Sequence, residues 1–151
     1  MRPKRRPPSV ICRYLSFTEP KSNITFRLPL VHTRLKSGGK AIKTIALIDS
    51  GATDSFVPLE LIEILGLRTQ YEQAKEIEVV GAGGVFKARK VKIDLIEVLK
   101  STIVFCDFRN IEVLVLELPY TILGRNSIFQ EFDITFREKH QHIIFRWPPK
   151  K

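Results

Sequence analysis

Hydrophobic and polar residues alternate over most of this chain at the two-residue spacing of half-buried strands, and only two short stretches break into helical spacing. Residues 23–35 read as a strand. Ser37-Gly38-Gly39 reads as a hairpin turn leading into a second strand over 41–49. Residues 58–65 read as a helix, with Pro58 in its first turn, Gly66 near its end and Leu61, Ile62 and Leu65 on one face. Strands over 77–80 and 85–98 flank a glycine cluster, the second placing Val91, Ile93 and Leu95 on one face and Lys90, Lys92 and Asp94 on the other. Further strands are expected at 111–118, 134–136 and 143–147, with a short helix over 127–131. The pattern predicts a mostly β protein with one or two short helices.

At 151 residues and 44% hydrophobic content, the chain has material for one cored domain and not for two full-sized ones. No run approaches the roughly 18 apolar residues of a membrane-spanning helix. The N-terminus carries no apolar segment behind its charges, so a cytoplasmic protein without membrane contact is expected. Cys12 and Cys106 are too few and too far apart in sequence for a disulfide scaffold or a metal knot.

The net charge of +9 raises the question of nucleic acid. Arg2, Lys4, Arg5 and Arg6 stand among Pro3, Pro7 and Pro8, a composition that predicts a flexible basic segment over residues 1–22. The folded domain is expected over 23–147, followed by a basic tail at 148–151. Lys36, Lys40, Lys43, Lys87, Arg89, Lys90 and Lys92 are spread over turns and strand faces, as edge-protecting charges are. Nonspecific polyanion binding through the basic N-terminus follows from counterion release. A dedicated recognition module does not follow, since no interleaved aromatic platform appears.

The chemistry lies where an apolar strand ends in Asp49-Ser50-Gly51-Ala52-Thr53. Asp, Ser and Gly also serve ordinary turns, so the tripeptide acquires meaning from its surroundings. Two more segments supply them: Val79-Val80-Gly81-Ala82-Gly83-Gly84-Val85-Phe86, and Ile122-Leu123-Gly124-Arg125-Asn126 before the second helix. In that order, over residues 43–136, the chain resembles the retropepsins, the single-domain aspartic proteases typified by retroviral proteases.

The resemblance implies a closed β-barrel of the acid-protease type, with Asp49 as the catalytic residue. Two-lobed relatives carry one such tripeptide per lobe, whereas this chain has one, so the implied enzyme is a homodimeric endopeptidase acting on a peptide or protein substrate. Ser50, Gly51, Gly124 and Arg125 are the implied supports of the active site. Gly81, Ala82, Gly83 and Gly84 form the implied flap, and Ala52, Thr53, Val80 and Phe86 the implied substrate walls. Small residues after the acid let two backbones approach until their carboxylates share a proton. No cofactor or metal is expected. His140 and His142 flank one glutamine in a charged turn without a third ligand at supporting spacing.

Two departures from the family stand out. Where retroviral members carry an acid to pair with the arginine, this chain has Thr53, then Asp54, so either Asp54 substitutes or Arg125 finds another partner. The chain also continues past the second helix through a polar turn into Ile143-Ile144-Phe145-Arg146-Trp147, a tail expected to build or reinforce the dimer interface. Two other readings stay open: a noncatalytic peptide-binding or interaction module on the same fold, and a basic nucleic-acid-associated protein.

Overall fold

A computed structural model describes residues 8–149. The charged head before it and Lys150 and Lys151 lie outside the described residues, together with the expectations attached to them. In chain order the strands are β1 (Ser9–Arg13), β2 (Leu15–Thr18), β3 (Thr25–Leu28), β4 (Leu30–Ser37), β5 (Lys40–Ile48) and β6 (Phe56–Pro58). Helices α1 (Leu59–Ile64) and α2 (Arg68–Gln73) follow, then β7 (Glu76–Gly81), β8 (Gly84–Lys100), β9 (Ile103–Leu116) and β10 (Thr121–Leu123). Helix α3 (Ile128–Glu131), β11 (Asp133–Arg137), a 3-10 turn over Glu138–His140 and β12 (His142–Arg146) complete the chain.

Strands β4, β5, β10, β6, β9 and β8 hydrogen-bond in that order, and β4 pairs back onto β8, closing a six-strand barrel as the resemblance implies. Closure leaves few open edges. Its seam joins residues 32–36 of β4 to 95–99 of β8, and there Arg34 lies directly across from Glu97. The Arg34 Nε donates to Glu97 Oε1 at 2.8 Å and Lys36 Nζ stands 3.0 Å from the same oxygen. The hydrogen bond from Arg34 leads the effects that hold this buried carboxyl below its usual pKa range.

The core fills from both periodicities. Leu35, Ala46, Val91, Ile93, Ile96 and Val98 point into the barrel, and Leu61, Ile62 and Leu65 of the α1 region pack against it, the helical face anticipated from spacing. Between β4 and β5 the turn falls at Gly38-Gly39, both at positive φ, as a two-residue hairpin of the primed type demands.

Of the segment expected to be flexible, the structure describes residues 8–22, and for these the expectation is corrected. Within it, β1 pairs antiparallel with β12, and Val10, Cys12 and Tyr14 are buried in the main core. The Tyr14 hydroxyl donates to Glu138 at 2.9 Å. These residues alternate at strand spacing, and the basic, proline-rich neighbourhood hid that alternation. The first barrel strand likewise begins at Leu30, because Pro29 separates it from β3, which forms a two-stranded hairpin with β2.

At the other end, β12 lies between β1 and β11, so both of its hydrogen-bonding edges are used within the chain. Ile143 and Phe145 are fully buried, and Phe105, Phe132, Phe145 and Trp147 interlock at ring-centroid separations of 5.0–5.9 Å. The tail is thus core of this chain. Among the described residues, no helix is long and apolar enough to cross a membrane.

Candidate active site

Strand β5 delivers Asp49 because it runs parallel to β10, residues 46–48 lying beside 121–123. The Asp49 N–H donates to the Leu123 carbonyl at 3.1 Å, one residue beyond the strand's end. Its carboxylate then turns back on the loop and accepts the Gly51 N–H at Oδ1, 2.9 Å away. Asp49 remains half-exposed, at the floor of a groove.

Behind this turn a second segment crosses at van der Waals distance. A Cβ on Gly124 would lie 2.6 Å from the Ala52 carbonyl oxygen and closer still to that of Asp54, so no larger residue fits. The crossing is tied by backbone bonds from Arg125 N–H to Ala52 O at 2.8 Å and from Asn126 N–H to Thr53 O at 3.0 Å. At its centre sits the fully buried Ser55 hydroxyl, which donates to Asn126 Oδ1 at 2.7 Å and accepts the Gly124 N–H at 3.1 Å. Ser127 Oγ, 2.9 Å from Ser55 Oγ, donates to the Gly124 carbonyl at 3.2 Å. Every buried polar group in this knot has a partner, which makes the Asp49 turn a rigid mount.

Arg125 finds the hydroxyl that stands where the acid was expected: Nη2 donates to Thr53 Oγ1 at 3.3 Å. Asp54 does not substitute for the missing acid, and among the described residues Arg125 has no ion pair.

Over the groove extends the β7–β8 hairpin, Gly81 opposite Gly84 with Ala82-Gly83 at the tip. The Phe86 ring lies so close to Gly81 that a Cβ there would meet Cε1 at 2.8 Å. The base of the hairpin is fixed to α2, where Arg89 Nη1 donates to the Tyr71 and Glu72 carbonyls at 3.3 and 2.9 Å.

The groove encloses about 880 Å³, room for several residues of an extended peptide. Of the residues picked from the sequence, Asp49, Gly51, Ala52, Thr53, Val80, Gly81, Ala82 and Phe86 line it together. Ser50, Gly83, Gly84, Gly124 and Arg125 lie outside the lining. Ser50 is exposed and makes no hydrogen bond among the described residues. Walls that sequence reasoning missed come from Phe56, Leu114, Leu116, Leu118 and Ile122, and the charged residues Asp54, Glu78 and Lys90 border it, Glu78 exposed on the β7 face opposite Ile77 and Val79. The two-residue spacing of Leu114, Leu116 and Leu118, and Ile122 beside the Gly124 segment, carried the signal for several of them. Among the described residues, no group of three His, Cys, Asp or Glu side chains converges as metal ligands.

The family model described as aspartyl protease matches residues 33–127, well over half of the chain. Among solved structures, a retropepsin-like aspartic protease from Rickettsia conorii matches with a TM-score of 0.58 at 15% identity, covering 92% of this chain and 90% of that one. At that identity the likeness concerns the fold. No curated protein matches the sequence.

Proposed function

The chain belongs to the aspartyl protease family, and from that premise we propose that it is a homodimeric endopeptidase whose active site takes one Asp49 from each of two copies. The observation that carries the reading is the Asp49 carboxylate at the floor of the groove beneath the glycine hairpin, on a turn braced by the Ser55 knot. The chain has one Asp-Ser-Gly, and paired-carboxylate hydrolysis needs two such acids.

Two like charges a few ångströms apart share one proton. The ionised carboxylate takes a proton from water as its oxygen bonds to the scissile carbonyl carbon, while the protonated one donates to the carbonyl oxygen. Collapse of the tetrahedral adduct breaks the C–N bond: one adduct hydroxyl returns its proton to the now ionised carboxylate, and the amine leaves with the proton held by the other carboxyl group. Hairpin glycines suit a cover that exchanges backbone hydrogen bonds with an extended substrate.

Dimerisation through the chain ends takes a different form from a lone tail strand. Because β12 is flanked on both sides, the edges offered to a partner are those of β1 and β11.

The test is cleavage of a diverse peptide mixture from acidic to neutral pH by wild type and Asp49→Asn, with sedimentation confirming that both are dimers. Asp49→Asn is expected to lose activity by at least about 10²–10⁴-fold. Excess Asp49→Asn protein mixed with wild type should suppress activity further, by forming mixed dimers. Full activity in Asp49→Asn, or activity of a wild-type monomer, overturns the reading.

A further inference from the structure

We propose that a second cleft, between strand β1 and the barrel, takes an extended acidic segment of another protein, held at open strand edges and by Arg13, His32, Lys100 and His142. The cleft holds about 600 Å³ and shares no lining residue with the groove over Asp49. Charge is the first argument. Those four basic residues line it and no acid does. None of the four has an ion pair or a side-chain hydrogen bond among the described residues, whereas Arg34 and Lys36 on the same barrel strand share Glu97. Burial pushes the Cys12 thiol up to about 11, and the Lys100 charge works against that rise, which sets the ammonium beside the cleft wall. His32 and His142 add ring N–H donors for a carboxylate.

The backbone supplies the second argument. Among the described residues β1 pairs with β12 alone, so its other edge is open, and residues 11–13 of that strand line the cleft. On the barrel side the pairing of β4 with β8 stops at His32 and Leu99, so Leu30 and Val31 have a neighbouring strand only in β5. Open edges of this kind accept an added strand through main-chain hydrogen bonds. The floor is apolar: Leu30 and Leu99 are buried there, Leu15 is half-buried, and Ile11 is 44% exposed at the rim. Such a floor suits a strand whose apolar side chains alternate with acidic ones.

Two other occupants fit less well. A nucleic acid would find cations for its phosphates but no aromatic ring on which to stack a base. A second copy of this chain that paired β1 with β1 would bring two sets of uncompensated cations together. In the proposed homodimer the contact between copies then falls to β11, and the β1 edge is left for the foreign strand.

The experiment uses full-length Asp49→Asn and short fluorescein-labelled peptides in which valine alternates with glutamate or with lysine, binding being read by anisotropy. The glutamate peptide is expected to bind about tenfold tighter than the lysine peptide, as several exposed ion pairs together allow, with the gap narrowing as salt rises. Arg13→Glu/Lys100→Glu should abolish the preference. Should that variant not fold, Arg13→Gln and Lys100→Gln singly should each weaken binding of the glutamate peptide about two- to threefold. Replacing its central valines by proline keeps the charge, removes ladder donors and should weaken binding about tenfold. No binding, equal binding of the two peptides, an unaltered preference in the variants or unweakened binding of the proline peptide overturns the proposal. So does an oligothymidylate that binds the cleft more tightly than the glutamate peptide. Dissociation of the dimer by the peptide, seen in sedimentation, would make the β1 edge an interface between copies and overturn it too. Cleavage by the wild type plays no part in the readout, so this inference and the catalytic reading stand or fall separately.

Discussion

The floor and the cover of the groove are built on opposite terms. Below, Ala52, Thr53 and Ser55 are locked to Gly124, Arg125 and Asn126 by main-chain and hydroxyl bonds of 2.7–3.1 Å. Above, the tip of the β7–β8 hairpin holds itself together only by its own ladder, with Val80 81% and Val85 64% exposed. Below the tip the cover is pinned, by Arg89 to the Tyr71 and Glu72 carbonyls of α2 and by Val79 and Phe86 packed against Phe56 and Leu114. Under the proposed function the difference answers two needs of one site: a reacting carboxylate would be held to a fraction of an ångström, whereas a cover would admit and grip varied peptides.

If the floor is a mount and the cover a gate, a change in the floor should register first in stability. Gly124→Ala is expected to be the most damaging single substitution, because its methyl group has backbone oxygens of Ala52 and Asp54 in its way and neither can yield without opening the crossing. A loss above about 4 kcal/mol is expected, read by urea unfolding or as failure to accumulate folded protein. Wild-type stability in that variant would mean that the two segments do not cross as described.

Ser55→Ala follows. The substitution leaves the Gly124 N–H and one acceptor of Asn126 unpaired in a buried place, at a cost of about 1–3 kcal/mol for each group so stranded. Its urea midpoint should fall with the slope unchanged. A midpoint equal to that of wild type would erase the claimed contrast in rigidity.

Much of this contrast was legible in the chain, though unevenly. Asp49 and Gly124 announced themselves because a strand ending in a small-residue turn, and a glycine in an apolar run, each answer to a local requirement. Ser55 gave no such signal, since its role arises from contacts 69 to 72 residues away. The barrel read as β because its strands alternate, yet the early part of β9, around residues 103–110, was missed. The turn before it uses Ser101 at φ 56 in place of glycine or proline, so nothing punctuates the sequence there. Helix α2 was missed for another reason: it buries no residue, so hydrophobic spacing cannot reveal it. The Arg125–Thr53 bond resolves an alternative that residue types alone left open.

The smallest expected effect on stability lies at the tip of the cover. Val80 and Val85 face one another across the hairpin ladder and are mostly in water, so shortening either to alanine removes little buried surface. Val80→Ala and Val85→Ala should each keep unfolding free energy within about 0.5 kcal/mol of wild type. Both residues are nonetheless where a closing hairpin would meet substrate or the partner's hairpin, so KM for a cleaved peptide should rise several-fold with dimerisation intact. A thermal midpoint lowered as far as in Ser55→Ala would show that the tip is structural support, and the division between mount and gate would fail at the one place where it predicts function without stability.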